Sequence, residues 1–101
     1  MDRVFKALSD PTRREILRLL RQHAMSAGEL SEHFDLAKPT LSGHFAILRE
    51  AGLVTAEKRA ATITYRLNLS VLEEALLGFA EVFGLGPKRT ARMRVQTGET
   101  K

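Results

Sequence analysis

Between Ser26 and Val54 the chain reads SAGELSEHFDLAKPTLSGHFAILREAGLV, and this stretch restricts the fold more than any other. Ser26-Ala27-Gly28-Glu29 matches a capping box, in which serine and glutamate satisfy each other's orphan N–H groups at a helix start. Ala27, Leu30 and Phe34 follow at i, i+3 and i+7, the core face of a short helix that ends near Phe34, where Asp35 introduces a turn. Pro39 favours the first turn of the next helix, although Ala37 and Lys38 are poor caps beside it. Leu41, Phe45, Ile47 and Leu48 define the buried side of that helix up to Ala51, and Gly52 ends it as a left-handed cap. Two short helices joined by a tight turn, with small polar groups left on the free face of the second, form the layout of a helix-turn-helix that reads DNA.

The flanking segments read as support. Val4, Phe5 and Leu8 place one apolar face on a short helix over Asp2 to Leu8, with Asp2 near its positive end. Asp10 caps a second helix and Pro11 suits its first position. Ile16, Leu17, Leu19 and Leu20 form its buried stripe, while Arg14, Arg18 and Arg21 share an outer, solvated face. Leu53 to Arg59 and Thr62 to Asn68 are the strand-like runs; in the second, Ile63, Tyr65 and Leu67 alternate with Thr62, Thr64 and Arg66. They form a hairpin around Ala60-Ala61. Gly and Asn are missing there, which predicts a longer and looser tip. Lys58, Arg59 and Arg66 make the hairpin basic, as in a wing beside a recognition helix.

Ser70-Val71-Leu72-Glu73 reads as a second capping box, opening a helix with Leu72, Leu76, Phe79 and Phe83 at i, i+4, i+7 and i+11. With Leu69, Val71, Leu77 and Val82 on other faces, this exceeds what one seam of a small monomer requires. Val4, Phe5, Leu8, Leu72, Leu76, Phe79 and Phe83 are therefore expected to form a dimer interface between terminal helices. Gly84-Leu85-Gly86-Pro87 ends the last helix, and the tail to Lys101 has no sustained periodicity and is expected to be disordered in isolation. The division is thus residues 1–83 for DNA binding and dimerisation and residues 84–101 as a basic tail.

Charge sharpens this division. The net charge is +4, yet residues 1–83 hold eleven Lys or Arg against eleven Asp or Glu; Lys88, Arg89, Arg92, Arg94 and Lys101 against Glu99 supply the whole excess. Only local clustering of charge can attract phosphate to the body. The tail's basic residues either add non-specific phosphate contacts or form a solvated extension. The absence of cysteine excludes disulfides and thiolate metal sites and fits a reducing cytoplasm. No apolar run approaches the ~20 residues of a membrane span, and the N-terminus lacks a signal peptide's apolar core, so no direct membrane insertion is expected.

FKALSDPTRREILRLL at 5 to 20, LSGHFAILREAGLV at 41 to 54 and a strand ending YRLN together resemble the ArsR family of bacterial winged-helix repressors, over roughly residues 2 to 83. The resemblance implies a mainly α fold with a small β-hairpin: a winged helix-turn-helix of four helices, two strands and a fifth helix. It also implies a homodimer through the first and last helices, with the third and fourth helices as the DNA-binding unit. Its double-stranded DNA partner would be an imperfect inverted-repeat operator near the regulator's own promoter. Many relatives sense metal through cysteine, which is absent here, or through Asp and His on the last helix, which offers only Glu73, Glu74 and Glu81. The chain is therefore similar to the metal-independent subgroup, which includes autorepressors released by a protein partner; no metal or cofactor is expected. Gly43 and Ala37 stand where relatives often carry a larger polar residue and a hydroxyl cap.

Lys38, Pro39, Thr40, Ser42, Gly43 and His44 occupy the N-terminal half of the recognition helix, the half that approaches bases in the major groove. Thr40 and Ser42 suit base edges or phosphates, and Lys38 suits phosphate. Gly43 either permits close backbone approach or is a tolerated surface glycine. His44, close to Phe45 and Leu48, is either structural or a DNA contact. Arg59, Thr62 and Tyr65 of the wing are expected to touch the adjacent backbone or minor groove. Catalysis is not expected, since His23, His33 and His44 fall on three elements without a nucleophile motif. Two other readings remain open: a winged-helix protein-interaction module, and a metal sensor built from His and carboxylates of two subunits.

Overall fold

The computed structural model describes residues 2–85. Their elements run α1 (Asp2–Leu8), α2 (Pro11–Gln22), β1 (Met25–Ser26), α3 (Ala27–Ser31), α4 (Lys38–Glu50), β2 (Val54–Arg59), β3 (Thr62–Leu67) and α5 (Leu69–Val82). This is the expected winged helix-turn-helix with one added strand. Met25 pairs with Tyr65 and Ser26 with Thr64, both antiparallel, which gives the sheet order β1-β3-β2. Two residues are too few to show a period of two in the sequence. Their effect is to pin the start of α3 to the middle of the sheet. Apart from Gly84 and Leu85, the tail predicted from residue 84 onward lies outside the described residues.

Most helix ends follow from local chemistry. Asp10 Oδ2 accepts the Arg13 N–H at 3.1 Å and caps α2. Ser26 Oγ accepts the Glu29 N–H at 3.0 Å while Glu29 Oε1 accepts the Ser26 N–H at 2.8 Å, completing the capping box. A five-residue helix has no stability of its own; α3 persists through this box and through Leu30, which is fully buried. It stops earlier than expected, because the N–H groups of Glu32, His33 and Phe34 turn back to the carbonyls of Glu29, Leu30 and Ser31. At the end of α4, Gly52 (φ +77°) donates to the Arg49 carbonyl at 2.9 Å and Leu53 to the Leu48 carbonyl at 3.0 Å. This is a Schellman ending with its apolar pair, Leu48 and Leu53, wholly buried. Gly84 (φ +70°) closes α5 in the same way.

Two expected local motifs do not form as predicted. The Ser70–Glu73 capping box does not form: α5 begins at Leu69 after Asn68, which makes no side-chain cap bond, and the Ser70 hydroxyl donates to Asn68 Oδ1 at 3.1 Å. The hairpin tip is tight rather than loose. Arg59 pairs with Thr62, so Ala60 and Ala61 alone make the turn, and Ala60 takes φ +53°. That conformation costs an L-residue about 1–2 kcal/mol, which the ladder of six residue pairs between β2 and β3 outweighs.

One cation organises the helical layer. Arg13 on α2 is 8% exposed. Its Nε donates to the Ala7 carbonyl at 2.8 Å and its Nη2 to the Lys6 carbonyl at 3.1 Å, so it closes the C-terminal end of α1. Its Nη1 lies 3.1 Å from His44 Nδ1 on α4. A guanidinium has no acceptor, so Nδ1 accepts there. Three helices thus meet at one side chain. The apolar core continues below it through Ile16, Leu20, Leu30, Leu41, Phe45 and Leu48, with the Phe45 and Tyr65 rings 4.5 Å apart.

The last helix is different. Of its fourteen residues only Ala75 is buried. Val4, expected at a dimer interface, is instead 6% exposed and belongs to the core of its own chain. Phe5, Leu8 and Leu72 are half-buried against that core, and Phe5 meets Phe79 at 4.9 Å between ring centres. Leu76, Phe79, Val82, Phe83 and Leu85 are left open, Val82 and Phe83 being 78% and 62% exposed. No helix among the described residues is long and apolar enough to cross a membrane.

Replacing Arg13 by Met should lower stability by about 2 kcal/mol or more, because buried carbonyls on α1 lose their donors; urea denaturation gives the value. Hydrogen exchange should show α1 fraying first. Acid should act at Asp10. Burial pushes its carboxyl up, but the Arg13 N–H, the His44 ring, the Thr12 N–H and the Arg13 charge outweigh burial and hold it below its ordinary value. Its stabilisation is therefore full above the unfolded pKa of ~3.9 and is lost as pH falls through the lower folded value. Asp10→Asn should flatten the acid limb of a stability–pH curve, and an unchanged limb would remove Asp10 from acid unfolding.

Candidate nucleic-acid interface

Helix α4 divides by its period. Leu41, Phe45 and Leu48 are buried, whereas Lys38, Pro39, Thr40, Ser42, Gly43, Ala46 and Arg49 are exposed. Five of the six residues predicted on this helix therefore face solvent. Ala37 supplies no side-chain cap, so the first N–H groups of α4 stay open at the positive end of the helix, beside Lys38. An anion such as a DNA phosphate is the natural complement of that end. His44 departs from the group. It is half-buried and turns towards α2, with Nδ1 on Arg13 Nη1 and 3.9 Å from Asp10 Oδ2. Of its two readings, the structure supports the structural one.

Sheet register sorts the wing. Thr55 faces Arg66, Glu57 faces Thr64 and Arg59 faces Thr62; these side chains share the outer face. Arg59 is partly neutralised, since its Nε and Nη2 reach Glu57 Oε2 at 3.1 and 3.0 Å. Lys58 is exposed near the tip without such a partner among the described residues. Tyr65 is a correction. It alternates with Thr64 and Arg66, is 6% exposed and packs on Phe45, so it supports α4 from beneath rather than standing on the outer face where a DNA contact was expected. Burial raises its phenol pKa above the ordinary value, an effect that the Arg49 charge opposes.

The exposed residues of α4 and the wing are linked through the start of α3. A cleft of about 180 Å³ is lined by Ala27 and Gly28 on one side and by Lys38 and Ser42 on the other. A second cleft of about 250 Å³ joins Ala27 and Gly28 to Ala61 and Thr62. Recognition helix, α3 and wing tip therefore form one continuous surface. The polar groups on it carry donors and acceptors but no paired nucleophile and base. Among the described residues no three His, Asp or Glu side chains gather as metal ligands.

This surface can be set beside known proteins. The family described as "Bacterial regulatory protein, arsR family" matches residues 10–56. The transcriptional repressor SdpR of Bacillus subtilis is 45% identical over 75% of this chain and 84% of its own length. The chain belongs to the ArsR family of transcriptional regulators. An arsenical resistance operon repressor of Staphylococcus aureus is 33% identical over 95% of the chain and 91% of its own length. A solved ArsR-like transcriptional regulator from a Rhodococcus species superposes with a TM-score of 0.72 at 30% identity, covering 81% of this chain and 77% of that one.

Within this ArsR fold, sequence reasoning missed Arg13 as the link between the entry helices and α4. Its signal was faint. Arg13 falls on the same face as Leu17 and Leu20, a cation where an apolar residue would continue the stripe. Gly43 gives a direct test. A Cβ built there meets nothing within 4 Å, so packing inside the chain does not require glycine. Gly43→Ala should stabilise the free protein by about 1 kcal/mol and weaken operator binding, as read by thermal denaturation and fluorescence anisotropy. Unchanged affinity would assign Gly43 to tolerated surface.

Proposed function

We propose that this ArsR-family regulator is a dimeric repressor of an inverted-repeat operator near its own promoter. The observation that carries this reading is the continuous surface from Lys38 and Ser42 across Gly28 to Thr62. In each subunit the N-terminal half of α4 enters the major groove, with Thr40 and Ser42 at base edges and Lys38 on phosphate. The wing, through Lys58, Arg59 and Thr62, follows the adjacent backbone. Residues 1–83 form the functional unit, acting in the cytoplasm.

Two copies join through the open stripe of α5, with Leu76, Phe79, Val82 and Phe83 at its centre and Phe5 and Leu8 at its edge. The two-fold axis then spaces the reading helices about one helical turn of DNA apart, ~34–36 Å. A chain without cysteine releases its operator by some means other than thiolate metal binding; a protein partner that sequesters the repressor fits this chemistry.

Fluorescence anisotropy against the chain's own upstream DNA and a scrambled duplex tests the reading. A preference of ~10³ or more at physiological salt is expected. Equal, weak and steeply salt-dependent binding to both would instead favour a protein-interaction module. Thr40→Ala with Ser42→Ala should narrow the preference without moving the salt slope; an unaltered preference would make both positioning groups. Leu76→Glu should give monomers in sedimentation and lose specific binding while the circular dichroism of the fold is kept. A surviving dimer would place the interface elsewhere.

A further inference from the structure

On the side of α2 that the reading surface does not use, a groove of about 280 Å³ opens between α2, the end of β3 and the first turn of α5. Its floor is Leu8, Leu17, Leu67, Leu69 and Leu72. Along its edge stand Arg14, Arg18 and Arg21, which repeat at i, i+4 and i+7 on one face of α2. Long arginine stems can line such a wall while their heads stay in water.

The three arginines are not equivalent. Arg18 is matched by Glu15, its Nε donating to Glu15 Oε1 at 2.9 Å. That pair holds the Glu15 carboxyl below its ordinary value and raises the Arg18 guanidinium, through the hydrogen bond first and the opposite charge second. Arg14 donates one N–H to the Leu8 carbonyl at 2.7 Å, which leaves its charge uncompensated. Arg21 has no hydrogen bond or ion pair among the described residues. The groove therefore combines a leucine floor with two unmatched guanidinium groups. Apolar floor alone would suit any greasy segment; the unmatched cations select an occupant that is apolar along its body and negative at one end.

We propose that this groove binds a single-chain anionic amphiphile, an alkyl carboxylate whose tail lies on the leucines and whose head is held by Arg14 and Arg21. Its volume is close to the lower bound for small-molecule sites, ~300 Å³, which suits one chain rather than a two-tailed lipid. Guanidinium–carboxylate contacts are charge-assisted and directional, so the head supplies orientation as well as affinity.

Calorimetric titration of the full chain with decanoate, below its micelle concentration, tests the site. One saturable site per chain is expected, with decanol binding distinctly more weakly. Arg14→Gln with Arg21→Gln should weaken decanoate by about tenfold or more and leave decanol unchanged. Amide shifts on titration should centre on Leu17, Leu67, Leu69 and Leu72. No saturable binding, equal binding by the double variant, or shifts confined to Phe79, Val82 and Phe83 would overturn the assignment. The last result would mean that the amphiphile only coats the open face of α5.

Discussion

The contact of Arg13 with the end of α1 and the middle of α4 is what the remainder of this structure depends on. A guanidinium buried this far would be costly alone. Here each face of it meets an acceptor: two carbonyls at the end of α1 and a ring nitrogen on α4. Those carbonyls are groups that a helix cannot satisfy internally. The same side chain therefore ends α1, orients α2 and fixes the height of α4. Asp10 reinforces the joint from the other side, capping α2 while lying 3.9 Å from the same histidine. Because the joint is directional, it sets how α4 projects from the body in a way that leucine packing alone does not.

Below that joint, two periodicities decide which side chains of α4 and the wing are exposed. On α4 the 3.6-residue period turns Leu41, Phe45 and Leu48 inward and leaves Ser42, Gly43 and Ala46 outward. On the hairpin the period of two sends Tyr65 inward and Thr62 and Arg66 outward. The two patterns meet in the Phe45–Tyr65 ring pair, which couples recognition helix to wing from the inside. An aromatic on the inner face of the wing is thus placed to position α4. β1 completes the arrangement by tying α3 to the same strand, β3, that carries Tyr65.

Legibility in the sequence followed the range of the interactions. Caps made by neighbours three residues apart, at Asp10 and Ser26, could be read directly, as could the glycine endings of α4 and α5. The Ser70 motif misled because a cap depends on where the helix starts, and α5 starts at Leu69, two residues before the Val71 that a Ser70 cap would require. The tight tip at Ala60 was illegible because the strand ladder overrides the local preference for glycine. Of the candidate DNA-reading residues, Lys38, Pro39, Thr40, Ser42 and Gly43 are exposed, on the side of α4 that periodicity leaves free. Tyr65 lies on the inner face that its alternation gives it, so its expected DNA contact ran against the strand period, while His44 takes the structural one of its two readings. Arg13 pairs with His44 across 31 positions, a relation that no local pattern encodes.

The balanced charge of the body bears on how such a regulator can be selective. With eleven cations against eleven anions over residues 1–83, phosphate attraction has to come from where charge is placed rather than from its sum. Glu57 reduces the local field further by pairing with Arg59 at the wing. Weak non-specific attraction lowers affinity for all DNA, but it also lowers the background against which an operator is distinguished. In the proposed reading one subunit contributes only a few base-edge contacts, each worth about 1–3 kcal/mol. Joining two subunits adds the base-reading free energies of both half-sites, so their discrimination ratios multiply. In the proposed dimer, the exposed apolar stripe of α5 and the near-neutral body are parts of one solution: selectivity would come from geometry shared between two copies, with little asked of bulk charge.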